Sequence, residues 1–240
     1  MADAEFLWPG GPRYLQSPHF ALSTDSVLLA DFARTGPLRR GIDLGCGGGI
    51  LPLLLLTRSL KPVMTGLELL PEAAAVAEEN MRQNGLDTRC GIVTGDIRDC
   101  PALFPAGSFD FAVSNPPYYA PDSGYPSPCA NRAAARTESC ALRDVCAAAA
   151  YLLRTGGAFY LVYKPERLAE LCCALSGAGL EPKRLRLVQH SAASAPSLAL
   201  MEGRRGGKAG LRVEPPLLLT GPDGRESAEA RRIYRREDRP

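Results

Sequence analysis

Short apolar runs alternate with longer helical patterns between about residues 40 and 175, and this alternation constrains the fold more than any other feature. Repeated strand–helix units are typical of a parallel sheet, because two parallel strands need a crossover segment to join them. The strand-like runs cover residues 41–44, 63–67, 91–94, 109–114 and 158–163. We therefore predict an α/β fold built on a mostly parallel sheet.

Helical patterns and turn residues divide the rest of the chain. Helices are predicted over residues 51–60, 71–84, 137–153 and 165–176, and over the charged tail from Ser227. Two further strand-like runs, 184–190 and 197–201, are separated by a Ser/Ala/Pro turn, which predicts an antiparallel hairpin at the edge of the sheet. Residues 203–210 form a basic, glycine-rich stretch that we interpret as a loop.

A chain of 240 residues can bury the core of one α/β domain. No apolar run reaches the roughly 18 residues of a membrane span, and residues 1–5 lack the basic start of a signal peptide, so we expect a cytoplasmic protein. The eight cysteines include no C-x-x-C pair and there are two histidines, so we predict no metal site. We expect these cysteines to be reduced and to fill the core.

Positive charge is concentrated towards the C-terminal end. Residues 180–240 carry 13 Lys and Arg against 8 Asp and Glu, whereas residues 1–179 carry 15 against 18. A basic segment on a near-neutral body is compatible with a polyanionic substrate such as a nucleic acid. A solvated charged surface is the alternative explanation.

A glycine-rich stretch, D-L-G-C-G-G-G over residues 43–49, lies between the first strand and its helix. Glycines there let the backbone approach a ligand closely, and the helix N-terminus offers N–H groups that the helix itself does not use. A dinucleotide site requires G-x-G-x-x-G/A, but the last position is Ile50 when counted from Gly45 and Pro52 when counted from Gly47. The Gly-Lys-Ser/Thr ending of a phosphate-binding loop is also absent.

The stretch resembles instead the first motif of class I S-adenosylmethionine-dependent methyltransferases, an acidic residue followed by spaced glycines. The resemblance implies a Rossmann-like fold and S-adenosyl-L-methionine as the cofactor. Glu68 ends the second strand about 20 residues later, where a carboxylate can bind ribose hydroxyls, and Asp96 ends the third, where this family binds the adenine. The residues expected at the cofactor are Asp43, Gly45, Cys46, Gly47, Gly49, Glu68, Leu69, Asp96 and Ile97. The alternatives are a solvated strand end for Glu68 and a helix cap for Asp96.

The fourth strand ends in Asn115-Pro116-Pro117-Tyr118, which is a poor continuation for a buried strand. Ligands of open parallel sheets bind outside the carboxyl ends of the strands, so the motif is well placed for a site. The Asn115 side chain and the Pro116 carbonyl can both accept hydrogen bonds from one planar amino group, and the Tyr118 ring can stack on a flat heterocycle. We predict that Asn115, which also borders the cofactor, acts with Pro116 and Tyr118 in methyl transfer to an amide or an exocyclic amine. An ordinary proline turn is the alternative.

Two families share this motif: N6-adenine methyltransferases and the protein glutamine methyltransferases that act on release factors. Residues 20–30, the doubled Tyr118-Tyr119, residues 133–138 and residues 211–217 resemble the tRNA adenine-N6 methyltransferase family, which modifies an adenosine beside the anticodon. The resemblance implies methyl transfer to N6 of an adenine in RNA, and tRNA as the partner. It also implies that Ser23, Thr24 and Asp25 lie near the methionine end of the cofactor, where a helix N-cap is the alternative interpretation.

The remaining expectations concern RNA contacts and domain boundaries. The substrate-binding residues expected from the resemblance and the charge pattern are Tyr118, Tyr119, Arg132, Arg136, Arg204, Arg205 and Lys208, with further arginines at positions 231, 232, 235 and 236. We expect residues 1–36 to cap the cofactor site and residues 37–240 to form the methyltransferase domain with a basic C-terminal elaboration. A glutamine methyltransferase and a non-catalytic RNA-binding protein with the same fold are the alternatives.

Overall fold

A computed structural model describes residues 4–16, 23–36, 39–60, 62–116 and 142–236 of the chain. Within these ranges the chain forms a nine-stranded sheet with helices and a separate two-stranded hairpin near the N-terminus. The hairpin pairs β1 (Glu5–Phe6) antiparallel to β2 (Arg13–Tyr14). None of the helices in the described ranges is long and apolar enough to cross a membrane.

The remaining elements follow in chain order. The strands of the main sheet are β3 (Arg40–Leu44), β4 (Val63–Glu68), β5 (Cys90–Thr94), β6 (Phe109–Ser114), β7 (Leu153–Tyr163), β8 (Leu180–Gln189), β9 (Pro196–Arg205), β10 (Arg212–Val213) and β11 (Leu217–Leu218). The α-helices are α1 (Thr24–Phe32), α2 (Ile50–Arg58), α3 (Pro71–Gln83), α4 (Cys100–Leu103), α5 (Leu142–Leu152), α6 (Leu168–Gly177) and α7 (Ala228–Ile233). Two short 3-10 helices, Ile97–Asp99 and Pro165–Arg167, precede α4 and α6.

The strand order confirms the predicted architecture. The sheet runs β10-β8-β9-β7-β6-β3-β4-β5, and β11 also pairs with β8. The strands β5, β4, β3, β6 and β7 are parallel to one another, while β9 runs antiparallel to both β7 and β8. The chain is therefore an α/β protein with a mostly parallel sheet and a C-terminal antiparallel hairpin.

The parallel strands are buried on both faces, which is why they are nearly continuous apolar runs. In β6, Phe111 belongs to an apolar layer that includes α1 and α2, and Ala112 belongs to a second layer that includes α5 and α6. β7 alternates in the same way, with Tyr160 in the first layer and Phe159 in the second. Burying a large apolar side chain contributes about 1.5–3 kcal/mol, so these two layers hold the sheet between its helices.

Some element boundaries differ from the prediction. β7 begins at Leu153 rather than at residue 158, because the chain through Gly157 stays in the sheet with a register shift against β6. A side chain at Gly157 would begin 2.8 Å from the Arg154 carbonyl oxygen, so this irregularity requires glycine. The predicted loop 203–210 begins inside β9, which continues to Arg205. Of the helix predicted over 137–153, residues 142–152 are helical and the start lies outside the described residues.

A buried ion pair fastens the C-terminal hairpin to α1. The Arg184 Nε donates to Glu202 Oε2 at 2.8 Å, and its Nη2 donates to the Phe32 carbonyl oxygen at 2.6 Å. The guanidinium also lies 3.8 Å from the centre of the Phe32 ring. Both charged side chains are less than a tenth exposed, so the pair is expensive to break. It therefore sets the position of α1, whose other end carries part of the site.

Candidate functional site

The glycine loop and the Asn115 motif meet where the strand order of the parallel sheet reverses. From β3 the chain proceeds outwards to β4 and β5, and it returns on the other side of β3 as β6. The carboxyl ends of β3 and β6 therefore border a crevice, which is where ligands bind in open α/β sheets. The Ser114 hydroxyl donates to the Leu44 carbonyl oxygen at 2.7 Å and ties the two strand ends together.

The loop after β3 is shaped for close approach to a ligand. Gly45, Gly47 and Gly49 have φ angles of +77°, +53° and +80°, a left-handed conformation that disfavours side chains. The Gly45 and Cys46 N–H groups donate to the Leu67 carbonyl oxygen at 2.9 and 3.1 Å, which anchors the loop to β4. No atom of the described residues lies within 4 Å of the place where a Gly45 side chain would begin, so the loop faces open space there.

Glu68 braces this loop from the end of β4. The residue is 5% exposed. Its Oε2 accepts from the Gly47 N–H at 2.8 Å, and its Oε1 accepts from the Leu70 N–H at 2.9 Å. The interpretation of Glu68 as a solvated strand end is therefore wrong. A carboxylate oxygen can accept a second hydrogen bond, so a ribose contact through the same carboxylate stays a prediction.

Asp43 is a buried acid without a partner among the described residues. It is inaccessible to solvent, and neither Oδ1 nor Oδ2 has a hydrogen-bond donor there. Burial, and after it the charge of Glu68, raises the pKa of Asp43 well above its usual range. Native proteins leave few buried polar groups unsatisfied, so two such oxygens beside a glycine loop indicate a donor that a ligand supplies. A charged donor such as an ammonium group forms a stronger hydrogen bond to a carboxylate than a neutral donor does.

Cys46 and Asp96 have narrower roles than those predicted. The Cys46 thiol is buried against Gly66, and burial raises its pKa well above the usual range, so only the Cys46 backbone is available to a ligand. Asp96 is the N-cap of the 3-10 helix Ile97–Asp99 and accepts from the Arg98 N–H at 2.8 Å, which confirms the alternative of a helix cap. The Arg98 guanidinium donates to both Asp96 oxygens and lowers the pKa of that carboxyl. An adenine contact by Asp96 therefore has to be shared with Arg98.

The N-terminus of α1 holds Asn115. The Asn115 Nδ2 donates to the Ser23 Oγ at 3.2 Å and to the Ser26 Oγ at 3.1 Å. Ser23 is the N-cap of α1, because its hydroxyl accepts from the Ser26 N–H at 3.4 Å. These bonds turn the amide nitrogen of Asn115 towards α1 and its oxygen to the opposite side. Pro116 follows as a buried residue.

Several predicted site residues stay untested by this geometry. The Thr24 hydroxyl donates to Asp25 at 3.4 Å, Leu69 is 38% exposed and Ile97 is half-buried. Residues outside the described ranges are Pro117, Tyr118, Tyr119, Arg132 and Arg136. Their contacts with cofactor and substrate remain predictions. In the part of the chain that the structure describes, no group of three His, Cys, Asp or Glu side chains could hold a metal ion.

Asn80 of α3 and Asn84, the C-cap of that helix, hold the N-terminal hairpin against the glycine loop. Asn84 bonds the N–H and the carbonyl oxygen of Arg13 at 2.9 and 2.7 Å, and Asn80 bonds those of Leu15 at 2.7 and 2.9 Å. The two side-chain amides thus bond the backbone of residues 13 and 15 in the way that a neighbouring strand would. Asn80 is fully buried, and its Nδ2 also donates to the Gly48 carbonyl oxygen at 2.9 Å. The loop is thereby joined to the N-terminal segment.

Tyr14 completes the contact between hairpin and loop. It is 2% exposed, and its hydroxyl lies 2.6 Å from where a Gly48 side chain would begin, so the contact requires glycine. Burial, with smaller contributions from Cys46 and Asp43, raises the pKa of Tyr14 to about 12 and keeps the phenol neutral. The sequence motifs do not mark Tyr14 or Asn80. A polar residue on the alanine-rich buried face of α3 is the one signal that could have revealed Asn80.

The basic residues predicted in and after β9 lie towards the amino ends of the parallel strands. Arg204 is opposite Ala158, towards the amino end of β7, whereas Asn115 lies beyond the carboxyl end of β6. The Arg204 Nε also donates to Glu202 at 2.7 Å. Arg205 ends β9 and Lys208 follows it, away from the site. An antiparallel strand carries its C-terminal end away from the carboxyl ends of the parallel strands, so these three residues are not part of the site.

Residues 22–171 match the family model of the methyltransferase small domain. The matched range begins just before α1 and includes the glycine loop, Glu68 and Asn115. Both halves of the site therefore lie within the matched range.

Similar proteins of known name are tRNA1(Val) (adenine(37)-N6)-methyltransferases from bacteria. The one from Tolumonas auensis is 30% identical over 209 residues, which are 87% of this chain and 85% of the relative. The one from a Shewanella species is 31% identical over 212 residues, 85% of each chain. The one from Aeromonas salmonicida is 33% identical over 153 residues, and there the match spans 63% of this chain and 63% of the relative.

Solved structures with the same fold include methyltransferases. A predicted O-methyltransferase from Agrobacterium tumefaciens has a TM-score of 0.72 at 20% identity, over 88% of this chain and 96% of its own. TrmN from Thermus thermophilus has a TM-score of 0.54 at 19% identity, over 75% of this chain and 48% of its own. At these identities the likeness shows the fold alone.

Proposed function

The chain belongs to the tRNA adenine-N6 methyltransferase family and carries its methyltransferase small domain, and on that basis we propose that it transfers a methyl group from S-adenosyl-L-methionine to the exocyclic N6 amine of an adenine in tRNA. The observation that carries this proposal is the position of Asn115. It follows the strand next to β3, which leads into the glycine loop, and two serine hydroxyls of α1 orient its amide.

The residues of the loop fit S-adenosyl-L-methionine, the cofactor of this family. The buried Asp43 carboxylate suits an ammonium group such as that of methionine, and the left-handed glycines leave room for a ligand. The bound cofactor supplies the methyl group on an electrophilic sulfonium, so the protein has to bind, orient and exclude water. We propose that the cofactor is held by Asp43, Gly45, Gly47, Gly49 and Glu68, and bordered by Thr24, Cys46, Leu69, Asp96, Ile97 and Asn115.

Asn115 and Pro116 position the amine that accepts the methyl group in this proposal. The N6 nitrogen of adenine is a poor nucleophile because its lone pair is conjugated with the ring. When the Asn115 amide oxygen and the Pro116 carbonyl oxygen each accept one of its N–H bonds, the nitrogen is held in line with the methyl group and its electron density is directed outwards. Catalysis is then mainly positioning and electrostatic alignment. Tyr118 stacks on the base, which has to leave its own stack or lie in a loop.

The N-terminal residues belong to the cofactor site in this proposal. Asn80 joins Leu15 to Gly48, and Tyr14 packs on Gly48 from the same strand. These contacts support the expectation that residues 1–36 cap the cofactor site while residues 37–240 form the transferase domain. The N-terminal segment then shapes the loop on which the cofactor lies.

Asn80→Asp is expected to raise the Kd for S-adenosyl-L-methionine about tenfold and to leave kcat at saturating cofactor within about twofold. Aspartate keeps the acceptor for the Leu15 N–H but loses the donor to the Gly48 carbonyl oxygen, so the loop loses its support. Calorimetric titration measures the Kd. Asn84→Asp is the matched control, because it breaks the bond to the Arg13 carbonyl oxygen without touching the loop. Equal losses in the two variants would contradict the role given to Asn80.

The proposed reaction is tested by incubating the protein with labelled S-adenosyl-L-methionine and total tRNA and digesting the tRNA to nucleosides. We expect the label in N6-methyladenosine. Label in another nucleoside would contradict transfer to N6. Label only at glutamine in an added protein fraction would instead assign the chain to the protein methyltransferases that share the Asn-Pro-Pro-Tyr motif.

The salt dependence of catalysis is expected to identify RNA as the substrate. Each phosphate that Lys or Arg neutralises releases counterions, so with three such contacts the KM for tRNA should rise about twentyfold to fortyfold between about 50 and 200 mM salt. The kcat should change little, because the chemical step uses no screened charge. Initial rates at several tRNA concentrations measure both constants. A KM that does not change with salt would contradict a polyanionic substrate.

A further inference from the structure

A cleft of about 160 Å³ opens between the N-terminal hairpin, α1 and α7. Its lining combines the aromatic rings of Trp8 and Tyr234 with the guanidinium groups of Arg235 and Arg236. The Arg235 guanidinium lies 5.9 Å from the centre of the Trp8 ring, and that of Arg236 lies 5.0 Å from the centre of the Tyr234 ring. Aromatic faces interleaved with cations are the means by which proteins hold bases of single-stranded nucleic acids.

The cleft lies beside the acceptor site, because both use the first turns of α1. Ser23 and Ser26 bond the Asn115 amide, whereas Thr24 and Val27 line the cleft. The two sets of residues are offset by one position, which is about 1.5 Å along the helix axis and about 100° around it. A strand whose target base is held at Asn115 can place a neighbouring nucleotide in the cleft.

Arg235 has an unusual backbone for its position. Its φ is +55°, and among the described residues no other non-glycine residue has a positive φ. This conformation terminates α7 in a Schellman motif. The Arg235 N–H donates to the Arg232 carbonyl oxygen at 3.2 Å, and the Arg236 N–H donates to the Arg231 carbonyl oxygen at 2.8 Å. Glycine is the usual residue at a positive φ after a helix, because a side chain there strains the backbone. Non-glycine residues with such strain are common at ligand sites. Arg235 is exposed and has no carboxylate partner among the described residues.

A second depression, of about 490 Å³, shares Arg235 with the cleft and gathers three arginines around one acid. The Asp31 carboxylate lies 3.3 Å from the Arg58 Nη1 and 3.1 Å from the Arg232 Nη1. The Arg58 Nε is buried and has no hydrogen-bond partner among the described residues. Burial, with repulsion from Arg235 and Arg232, outweighs the attraction of Asp31 and lowers the pKa of Arg58. Among the described residues that line it, the depression thus has more positive than negative charge, which suits an anion.

Glu229, another acid near these arginines, does not neutralise their excess positive charge. Glu229 lies 3.9 Å from Arg232, but both of its oxygens accept from the Arg186 guanidinium at 2.8 Å. Asp31 stands seven residues after Thr24 on α1, about 10 Å along the helix axis. The basic depression therefore continues the aromatic cleft along α1.

We propose that the aromatic cleft and the adjoining arginine depression bind one nucleotide of single-stranded RNA next to the target adenosine. Its base stacks on Trp8, and its phosphate lies among Arg58, Arg232 and Arg235. This inference rests on the proposed RNA methylation for its biological meaning, but it predicts binding that is measured without methyl transfer. Polar groups in the arginine depression select the phosphate, while ring stacking tolerates any base.

Trp8 makes the proposal directly measurable, because it is the one tryptophan of the 240-residue chain. A short single-stranded RNA should quench its fluorescence with a saturable curve. Polyglutamate of the same total charge should not, because it carries no base to stack on the ring. The quenching should be the same in Asp110→Asn, because Asp110 is bonded to Arg154 near the amino end of β6, away from the cleft. No quenching by RNA, or equal quenching by polyglutamate, would overturn the proposal.

Arg235→Ala tests the phosphate contact. We expect the KM for tRNA to rise about tenfold, with kcat and the Kd for S-adenosyl-L-methionine unchanged, and the slope of log KM against log salt to fall by about 0.7 to 0.9, which corresponds to one phosphate. Arg205→Ala is the matched control, because it removes an arginine at the C-terminal end of β9, towards the amino ends of the parallel strands. Trp8→Phe should raise the KM without changing the salt slope. Unchanged KM in both cleft variants, or an equal rise in the control, would overturn the proposal.

The two proposals fail separately in these experiments. If RNA quenches Trp8 but no tRNA is methylated, the assigned reaction is wrong and the nucleotide cleft stands. If tRNA is methylated at N6 while the cleft variants behave as the wild type, the reaction stands and the cleft is wrong.

Discussion

Asn115→Ala is expected to lower kcat for tRNA methylation by about 10²- to 10³-fold, and to leave the Kd for S-adenosyl-L-methionine within about twofold. The substitution removes the acceptor that aligns the N6 amine, whereas the glycine loop and Glu68 keep their contacts. A loss of this size corresponds to about 3–4 kcal/mol of transition-state stabilisation. Alanine also leaves Ser114 in place, so the strand end stays fixed to β3.

Single-turnover rates with saturating tRNA measure the chemical step, and calorimetry measures the cofactor affinity. Ser26→Ala gives a graded comparison, because it removes one of the two hydroxyls that orient the Asn115 amide. We expect it to lower kcat about tenfold, again without loss of cofactor affinity. Wild-type rates in Asn115→Ala would contradict the acceptor role of Asn115. An equal loss of cofactor affinity would show that Asn115 acts on the cofactor instead.

Asp43→Asn is expected to raise the Kd for S-adenosyl-L-methionine about 10- to 100-fold, because it removes the charge that would bond a buried ammonium group. The two Asp43 oxygens have no other donor among the described residues, so no protein contact offsets the loss. Asp110→Asn is the control. Asp110 lies near the amino end of β6 and is bonded to Arg154 at 2.6 Å, away from the loop. Equal cofactor affinity in wild type and Asp43→Asn would exclude the proposed contact.

Asp43→Asn is also expected to raise the free energy of unfolding of the cofactor-free protein, by an amount that grows with pH. Asp43 has a raised pKa in the folded state and an ordinary one, near 4, in the unfolded chain. Between these two values the unfolded state has already released the proton that the folded state keeps. The wild type therefore loses up to about 1.4 kcal/mol of stability per pH unit in that window, whereas Asp43→Asn has no such proton.

Thermal unfolding of both proteins without cofactor, at several values between about pH 5 and pH 8, measures this difference. The gap in Tm between variant and wild type should widen as the pH rises. Saturating cofactor should reverse the order, since a ligand stabilises the form that binds it more tightly. A gap that is constant with pH would contradict the raised pKa of Asp43.

The loop, Glu68 and Asn115 were predictable because each directly follows an apolar run. Apolar runs of four to six residues, separated by helical patterns, indicate parallel strands, and the carboxyl ends of parallel strands lie at one edge of the sheet. The place of the site therefore follows from the order of the runs, before any contact is known.

The partners of Asn80 and Ser26 were not predictable, because these partners lie far away in the chain. The amide of Asn80 meets the carbonyl oxygen of Gly48, 32 positions before it, and Ser26 meets Asn115, 89 positions after it. A polar residue within a helix has the same local pattern whether it faces water or a buried carbonyl oxygen. The packing of the sheet decides between these, and packing is not a local property.

Charge and glycine content led to an incorrect placement of Arg204 and Arg205 of β9 relative to the site. Glycine and positive charge at residues 203–210 are typical of a phosphate-binding loop, but the antiparallel direction of β9 carries Arg204 away from the site. The basic residues that line the cleft beside the site are Arg235 and Arg236, just after the short helix α7. Their position depends on how α7 packs against α1, which charge patterns do not reveal.

The bonds that join β2 to α3 link residues 65 to 71 positions apart. At a synthesis rate of about 5–20 residues per second, Leu15 is made roughly 3–13 s before Asn80. The glycine loop is made within that interval and lacks its support until α3 is complete. The N-terminal segment therefore cannot take its place beside the glycine loop until α3 has been made.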